Sequence, residues 1–308
     1  MTRVAVVGEA LVDIVDGAAH PGGSPLNVAV GLGRLGLDVE LFTRIGADEH
    51  GLAIMVHLQD SHVRLAKGSV AHVRTPTAHA HIAPDGSARY EFDIVWDIPA
   101  PVLGAPDIVH IGSLGAYLEP GASHVASAIE RASAKALITF DPNIRPGVIG
   151  DHSEAVARTA ELVERSDVVK LSEEDAAWLF PGTTNEEVLQ QIAAHGPRLA
   201  VITRAAQGCV ARANGETFRL PAVPASVADT IGAGDAFMSG LIAALAGCDG
   251  GGETGEGRAR LMDWRAILFV ALSSSAWTVS RSGAEPPHLH ELPSLATLRR
   301  AASHPRYI

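Results

Sequence analysis

Ala136-Leu137-Ile138-Thr139-Phe140 runs straight into Asp141-Pro142-Asn143. A short apolar, β-prone run that stops on a polar tip reads as a buried strand of a parallel sheet followed by a loop. The same unit recurs along the chain. Val4 to Val7 ends on Gly8-Glu9, Val39 to Thr43 on Arg44-Ile45-Gly46, and Ile108 to Ile111 on Gly112-Ser113-Leu114-Gly115. Val168 to Leu171 ends on Ser172-Glu173-Glu174-Asp175, and Ala200 to Thr203 on Arg204-Ala205-Ala206-Gln207-Gly208. Longer helical segments separate these runs, so the chain predicts βα units around a mostly parallel sheet, an α/β fold. The polar tips then gather at the carboxyl edge of the sheet, where open α/β folds bind ligands.

Two segments break the rhythm. Between Ala71 and Trp96 the residues alternate, with Ala78, Ala80 and Ile82 on one face and His79 and His81 on the other, around Ala83-Pro84-Asp85-Gly86. That pattern predicts a hairpin, and a hairpin inserted in a βα chain is a candidate lid. Asp249 to Gly257 is Gly-rich and acidic and is expected to be a surface loop. No repeat of fixed period is present.

The composition narrows the function. The chain has 308 residues, 47% of them hydrophobic, and a formal net charge of −11. It is long enough and apolar enough for one large core, which excludes intrinsic disorder. An acidic chain without a run of Lys and Arg is a poor partner for nucleic acid. No stretch approaches the ~20 apolar residues of a membrane span. Met1 to Val15 is interrupted by Arg3, Glu9 and Asp13 and reads as a first strand, not a signal peptide. Cys209 and Cys248 lie in no zinc or disulfide spacing and suit a reducing cytoplasm.

The chemistry concentrates in Asp229-Thr230-Ile231-Gly232-Ala233-Gly234-Asp235, followed by the helical run Met238 to Ala246. Small residues at 232–234 let backbone amides approach an anion, and the helix that opens there aims its unsatisfied N–H groups at the same point. A carboxylate beside a bound phosphate is unfavourable unless it accepts a proton from a substrate hydroxyl, which is the role Asp235 would serve. A Gly-rich turn with an Asp in the first helical turn fits the same letters. In Pro21-Gly22-Gly23-Ser24-Pro25-Leu26-Asn27, paired glycines before a helix allow backbone contact, and Asn27 offers a donor and an acceptor to a polyol. Capping by Ser24 with Pro25 at the first helical position is the alternative, and it leaves Asn27 unexplained. Asp13 is placed to accept from neighbouring sugar hydroxyls, or to serve as a turn residue. Asn143 and Arg145 bring an amide and a guanidinium to one tip. Gly31-Leu32-Gly33-Arg34-Leu35-Gly36 fits a dinucleotide-binding string, but within a helical run instead of at a strand-to-helix turn.

Taken together, the two Gly motifs resemble the signature motifs of the ribokinase-like, or PfkB, carbohydrate kinases. Agreement continues in order through Gly8 to Asp13, Gly46 to Gly51, Arg74 to Thr77, Asp141 to Arg145, Lys170 to Asp175 and Gly283-Ala284. Bacterial fructokinases are closest in flavour. The resemblance implies a three-layer sandwich spanning 1–308 with a mostly parallel central sheet and a small β lid from about 11–20 and 71–98. It implies transfer of the γ-phosphoryl group of ATP to a sugar hydroxyl, with fructose the leading acceptor and 2-keto-3-deoxygluconate, ribose or a nucleoside the alternatives. A non-catalytic sugar or nucleotide sensor is the reading from another class, and retention of Asp235 argues against it.

On that resemblance Asp235 is the base and Gly232, Ala233 and Gly234 form the anion hole. Asp13, Gly22, Gly23, Asn27, Asn143 and Arg145 hold the sugar, and Lys170, Ser172, Thr203 and Gly208 the nucleotide. Asp175 acts through water on Mg²⁺, while Asp229 and the Ile231 carbonyl match the monovalent-cation (K⁺) positions of many members. A homodimer through the lid is implied as well. Three departures stand out. Ser172 and Asp175 replace the usual Asn and Glu, which shortens the metal–water network. Ala205 replaces a usual Gly, which is a strained choice if the position needs φ > 0. His79 and His81 occupy lid positions that are often apolar, where a solvent-facing or subunit-interface role outweighs metal binding.

Overall fold

A computed structural model describes residues 1–82, 88–132, 135–248 and 263–292. The turn expected at Ala83 to Gly86 and the loop expected at Asp249 to Gly257 lie outside the described residues. In chain order the strands are β1 (Arg3–Val7), β2 (Leu11–Val15), β3 (Ala18–Gly22), β4 (Asp38–Phe42), β5 (Ile45–Gly46), β6 (Val63–Leu65), β7 (Val70–Ala71), β8 (Thr77–Ile82), β9 (Ala88–Asp93), β10 (Ile108–Gly112), β11 (Leu137–Asp141), β12 (Val168–Ser172), β13 (Leu199–Thr203), β14 (Cys209–Ala213) and β15 (Glu216–Leu220). The helices are α1 (Ser24–Arg34), α2 (Glu49–Asp60), α3 (Gly121–Ala132), α4 (Pro146–Ile149), α5 (His152–Glu164), α6 (Glu173–Leu179), α7 (Asn185–Ala194), α8 (Ala233–Cys248) and α9 (Trp264–Val279).

The apolar runs form a nine-stranded sheet in the order β15-β14-β13-β12-β11-β10-β1-β4-β6. It is parallel from β6 to β13, and β14 and β15 close one edge antiparallel. Continuous apolar runs follow from burial on both faces. One face packs Val4, Val6, Leu41 and Val201 against Leu26, Phe237, Leu241 and Ile267 of α1, α8 and α9. The other packs Val7, Val109, Ile138 and Phe140 against Val125, Leu162, Leu179 and Val188 of α3, α5, α6 and α7. The result is the three-layer α/β sandwich that the sequence predicts.

The amino-terminal apolar stretch divides in two: β1 joins the large sheet, and after Gly8-Glu9-Ala10 the chain passes to a second sheet as β2, with Val12 still buried against the core. β2, β3, β8 and β9 make a separate four-stranded sheet in the order β3-β2-β8-β9. Its register pairs Asp13 with His20 and with Ala78. Ala78 is buried and His79 exposed, as the alternation requires.

The order in which strands are added reverses about β1, with β4 on one side and β10 on the other. Such a switch point opens a crevice at the carboxyl ends of the strands. Here the tips are in contact: a Cβ built on Gly115 would lie 2.8 Å from the Gly8 Cα. Gly115 N donates to Glu9 Oε2 at 2.8 Å. No helix among the described residues is long and apolar enough to cross a membrane.

Candidate active site

Asp235 occupies the first turn of α8 and is 8% exposed. Its Oδ1 accepts from Ser24 Oγ at 2.6 Å and its Oδ2 from Asn27 Nδ2 at 2.8 Å. Both donors lie in the first turn of α1, so the two Gly-containing motifs meet at this carboxylate. Burial pushes the Asp235 pKa above the ordinary carboxylate value, while Ser24, Asn27, Lys170 and Arg145 act in the opposite sense. A raised pKa brings a carboxylate closer to what proton abstraction from a hydroxyl requires.

Capping by Ser24 does not occur. The N-cap of α1 is Gly23, at φ 100° with no side-chain cap. A Cβ on Gly23 would lie 2.9 Å from the Glu9 carbonyl oxygen. Ser24 therefore starts the helix, and its hydroxyl is given to Asp235.

The cradle ahead of Asp235 is built from two loops. Gly232 takes φ 72°. A Cβ there would strike Ala284 Cβ at 2.7 Å. Asp229 binds both loops, accepting from Ile231 N at 3.0 Å and from Gly283 N at 2.9 Å. Burial opposes ionisation of Asp229, but the amides of Ile231, Gly283 and Thr230 outweigh it and hold the pKa below the ordinary value. An ionised carboxylate at this junction of two loops has the charge that a monovalent cation would need. Ala236 N makes the first hydrogen bond of α8, to the Gly232 carbonyl at 2.8 Å, and Ala233 N donates to the Thr230 carbonyl at 3.3 Å, which leaves the first-turn amides of Gly234 and Asp235 as the donors that a helix start can offer to an anion.

Lys170 projects from β12 toward the same place. It is 3% exposed, and a Cβ on Gly234 would lie 3.1 Å from its Nζ. Nζ donates to Asp141 Oδ2 at 2.8 Å. Burial works against the ammonium, yet Asp141, Asp175 and Asp235 together raise its pKa. Burial lifts Asp141 to about 6, against the attraction of Lys170. Asp141 Oδ1 has no partner among the described residues.

Asp13 enters the crevice from β2, and burial raises its pKa to about 6. Gly22, one strand away, makes room for it, since a Cβ there would lie 2.1 Å from Asp13 Oδ2. Across the crevice, Arg145 Nη1 donates to Asn143 Oδ1 at 2.8 Å. Its charge acts on Asp13, Asp235 and Glu9. Asn143 itself stands at φ 40°, a conformation that Asn tolerates better than most residues.

Glu9 is 1% exposed, and burial lifts its pKa from 4.5 to about 7. Between those two values the folded protein holds a proton that the unfolded chain has lost, so stability falls as pH rises through this window. Glu9→Gln keeps an acceptor for Gly115 N and removes the charge. A higher Tm than native at about pH 8, with the difference closing below about pH 4.5, is the expected result in a thermal-melt series. A Tm below native at the higher pH would show that the carboxylate itself stabilises the fold.

The residues expected to hold the nucleotide stand at the tips of β12 and β13, where Ser172 pairs with Thr203. Ser172 caps α6 by accepting from Asp175 N at 3.0 Å. Asp175 is 4% exposed and spends both oxygens on backbone, accepting from Ile144 N at 2.7 Å and Ser172 N at 2.8 Å. The short Ser/Asp pair thus forms a capping box that joins two tips, and a link to a metal would use the remaining lone pairs. Among the described residues no group of three or more His, Cys, Asp or Glu side chains is placed to hold a metal ion. A divalent ion here would take its ligands chiefly from nucleotide phosphates and water, as Mg²⁺ commonly does. Ala205 stands at φ 44°, so the strained case expected for an alanine at this turn holds. Gly208 at φ 85° closes the turn, and a Cβ there would lie 2.1 Å from the Leu220 carbonyl oxygen.

The fold therefore gathers Asp235, Asn27, Asp13, Lys170 and the 232–234 cradle at one crevice, and sets Thr203 and Gly208 along the adjoining tips. Sequence reasoning missed Ser24 as a partner of Asp235 and Glu9 as a buried acid. A glutamate in the tip that follows the Val4 to Val7 strand was the available signal for Glu9.

The pfkB family carbohydrate kinase profile matches residues 1–291. A fructokinase of Vibrio alginolyticus is 34% identical over 263 residues, covering 80% of this chain and 84% of that protein. A fructokinase of Rhizobium leguminosarum bv. trifolii is 30% identical over 255 residues, covering 77% and 78%. Among solved structures, fructokinase from Vibrio cholerae O395 with fructose, ADP and calcium bound superposes with a TM-score of 0.80 at 27% identity, covering 97% of this chain and 98% of that one.

Proposed function

Because this chain belongs to the pfkB family of carbohydrate kinases, an ATP-dependent phosphotransferase acting on a sugar hydroxyl, we propose that its acceptor is fructose and that Asp235 is its base. The observation that carries the proposal is the buried Asp235 carboxylate, held by Ser24 and Asn27 at the mouth of a helix-terminal cradle. A carboxylate beside a bound phosphate is repelled by it, and taking the proton of the attacking hydroxyl is the role that fits Asp235 there.

In this reading Asp13 and Asn27 orient the sugar, whose hydroxyl proton passes to an Asp235 oxygen as the hydroxyl oxygen attacks the γ-phosphorus. The bond to the ADP oxygen breaks in line. Gly232, Ala233 and Gly234 present amides to the transferring group, and Lys170 places a positive charge behind them. Phosphoryl transfer relies on positioning and charge neutralisation more than on covalent catalysis, so this set is sufficient. Mg²⁺ would neutralise the phosphate oxygens at the Asp175 side, and K⁺ would sit by Asp229 and the Ile231 carbonyl. The lid sheet excludes water, which would otherwise compete as acceptor.

The test is a coupled ADP-release assay with Mg²⁺ and K⁺ over fructose, ribose, 2-keto-3-deoxygluconate, tagatose and nucleosides. Fructose should give the highest kcat/KM, and a preference for another acceptor would overturn the assignment. The protein is further proposed to be cytoplasmic and to pair as a homodimer through the lid, whose strand β3 is exposed from Ala18 to His20. A monomeric mass by light scattering at micromolar concentration would count against the dimer.

A further inference from the structure

Gly31-Leu32-Gly33-Arg34-Leu35-Gly36 remains to be explained once base and cradle are assigned. Packing accounts for its glycines. A Cβ on Gly31 would lie 2.5 Å from Ser239 Oγ of α8, and one on Gly33 would lie 2.1 Å from the Ser61 carbonyl oxygen. Gly36 takes φ 85° just beyond the end of α1.

Arg34 has another task. It sits in the last turn of α1 with its side chain only 10% exposed. Nη1 donates to Glu285 Oε2 at 2.5 Å and to the Pro286 carbonyl at 3.0 Å, and Nε to Ser61 Oγ at 3.3 Å. A planar guanidinium with several fixed donors can hold a side chain and a carbonyl together in a way that an ammonium cannot.

The loop it grips is the back wall of the cradle. Gly283 N is bonded to Asp229, and Ala284 lies directly against Gly232. Glu285 N donates to the Gly283 carbonyl at 2.9 Å, so a pull on Glu285 is transmitted to Gly283. The other end of α1 carries Ser24 and Asn27, which hold Asp235. One helix thus fixes the base at its amino terminus and the wall of the phosphate cradle at its carboxyl terminus.

We infer that Arg34 is a positioning residue for phosphoryl transfer, acting through Glu285 and the Pro286 carbonyl to press Gly283 and Ala284 against Asp229 and Gly232. The inference rests on the reading of 232–234 as the phosphoryl cradle. Because catalysis here is positioning, a displacement of about 1 Å at the cradle is worth on the order of 10²-fold in rate.

The test compares native protein with Arg34→Met, Arg34→Lys and Glu285→Gln, reading kcat and KM separately and amide hydrogen exchange by mass spectrometry. Arg34→Met should lower kcat about 10- to 100-fold with the sugar KM within about threefold, the signature of an interaction that matters in the transition state. Exchange should rise in 229–232 and 279–286 while β10, β11 and β12 stay as protected as in native protein. Arg34→Lys should recover part of kcat, since one ammonium replaces a fork, and Arg34→Met combined with Glu285→Gln should be less than additive. A kcat within threefold of native for Arg34→Met, or exchange rising throughout the sheet in step with lost activity, would overturn the inference. If native protein phosphorylates no sugar, the kinase reading fails instead, and the exchange pattern still decides whether Arg34 clamps the loop.

Discussion

Asp235→Asn is expected to cut sugar-dependent ADP release by about 10³-fold while leaving the protein folded, with a Tm equal to or above native. The rate estimate lies within the ~10²–10⁴-fold range typical of a positioned general base. The fold should survive because the hydrogen bonds can be re-dealt. The introduced amide oxygen accepts from Asn27 Nδ2, and its NH₂ donates to Ser24 Oγ, a hydroxyl that can serve as donor or acceptor. The substitution also removes a buried charge whose pKa burial has raised, so stability above the ordinary carboxylate pKa should not fall. In native protein the base must be ionised, so kcat/KM should decline as pH drops through the raised pKa, and this acid limb should vanish in the variant. Turnover within tenfold of native would remove Asp235 from the chemistry.

The strands and their tips were legible because burial on both faces of a parallel sheet writes a continuous apolar run, and each of the six expected runs became a strand of the large sheet. The alternation of Ala78 and His79 was legible for the same reason, with one face buried and one exposed. Partnerships across the chain were not. Ser24 and Asp235 are separated by 211 positions, and a local cap explained Ser24 equally well until the φ of Gly23 showed that glycine to be the cap. Arg34 was hidden in a glycine string whose spacing imitates a dinucleotide motif. Asp175 illustrates a different limit. Its alignment with a metal-associated motif was readable, whereas its hydrogen bond from Ile144 N depends on how closely the Asp141 to Arg145 tip approaches α6. Lys170 did carry a signal: a lysine inside Val168-Val169-Lys170-Leu171 must be paired if the strand is buried. The sequence could not say that its partner would be Asp141 and its neighbour the cradle.

That pairing leads to the second large effect. Lys170→Met leaves the Asp141 carboxylate buried without its cation, and breaking such a pair typically costs about 3–5 kcal/mol. The loss should depend on pH in a defined direction. Asp141 is already lifted to about 6 by burial, and without Lys170 it rises further. Below the ordinary carboxylate value both folded and unfolded chains are protonated there and the variant should be nearly as stable as native. The deficit should then grow as pH climbs through the folded pKa. Adding Asp141→Asn removes the orphaned charge, so the double variant should recover most of the lost Tm at neutral pH. Turnover should not recover with it. The ammonium lies against Gly234, where charge on the transferring phosphoryl group must be balanced, and loss of one such stabilising group is worth about 10²–10³-fold in kcat. Melting curves and kcat measured on the same double variant therefore separate the two roles of Lys170. Recovery of both would reduce it to a structural counter-ion of Asp141, whereas recovery of stability alone places its charge in the transition state.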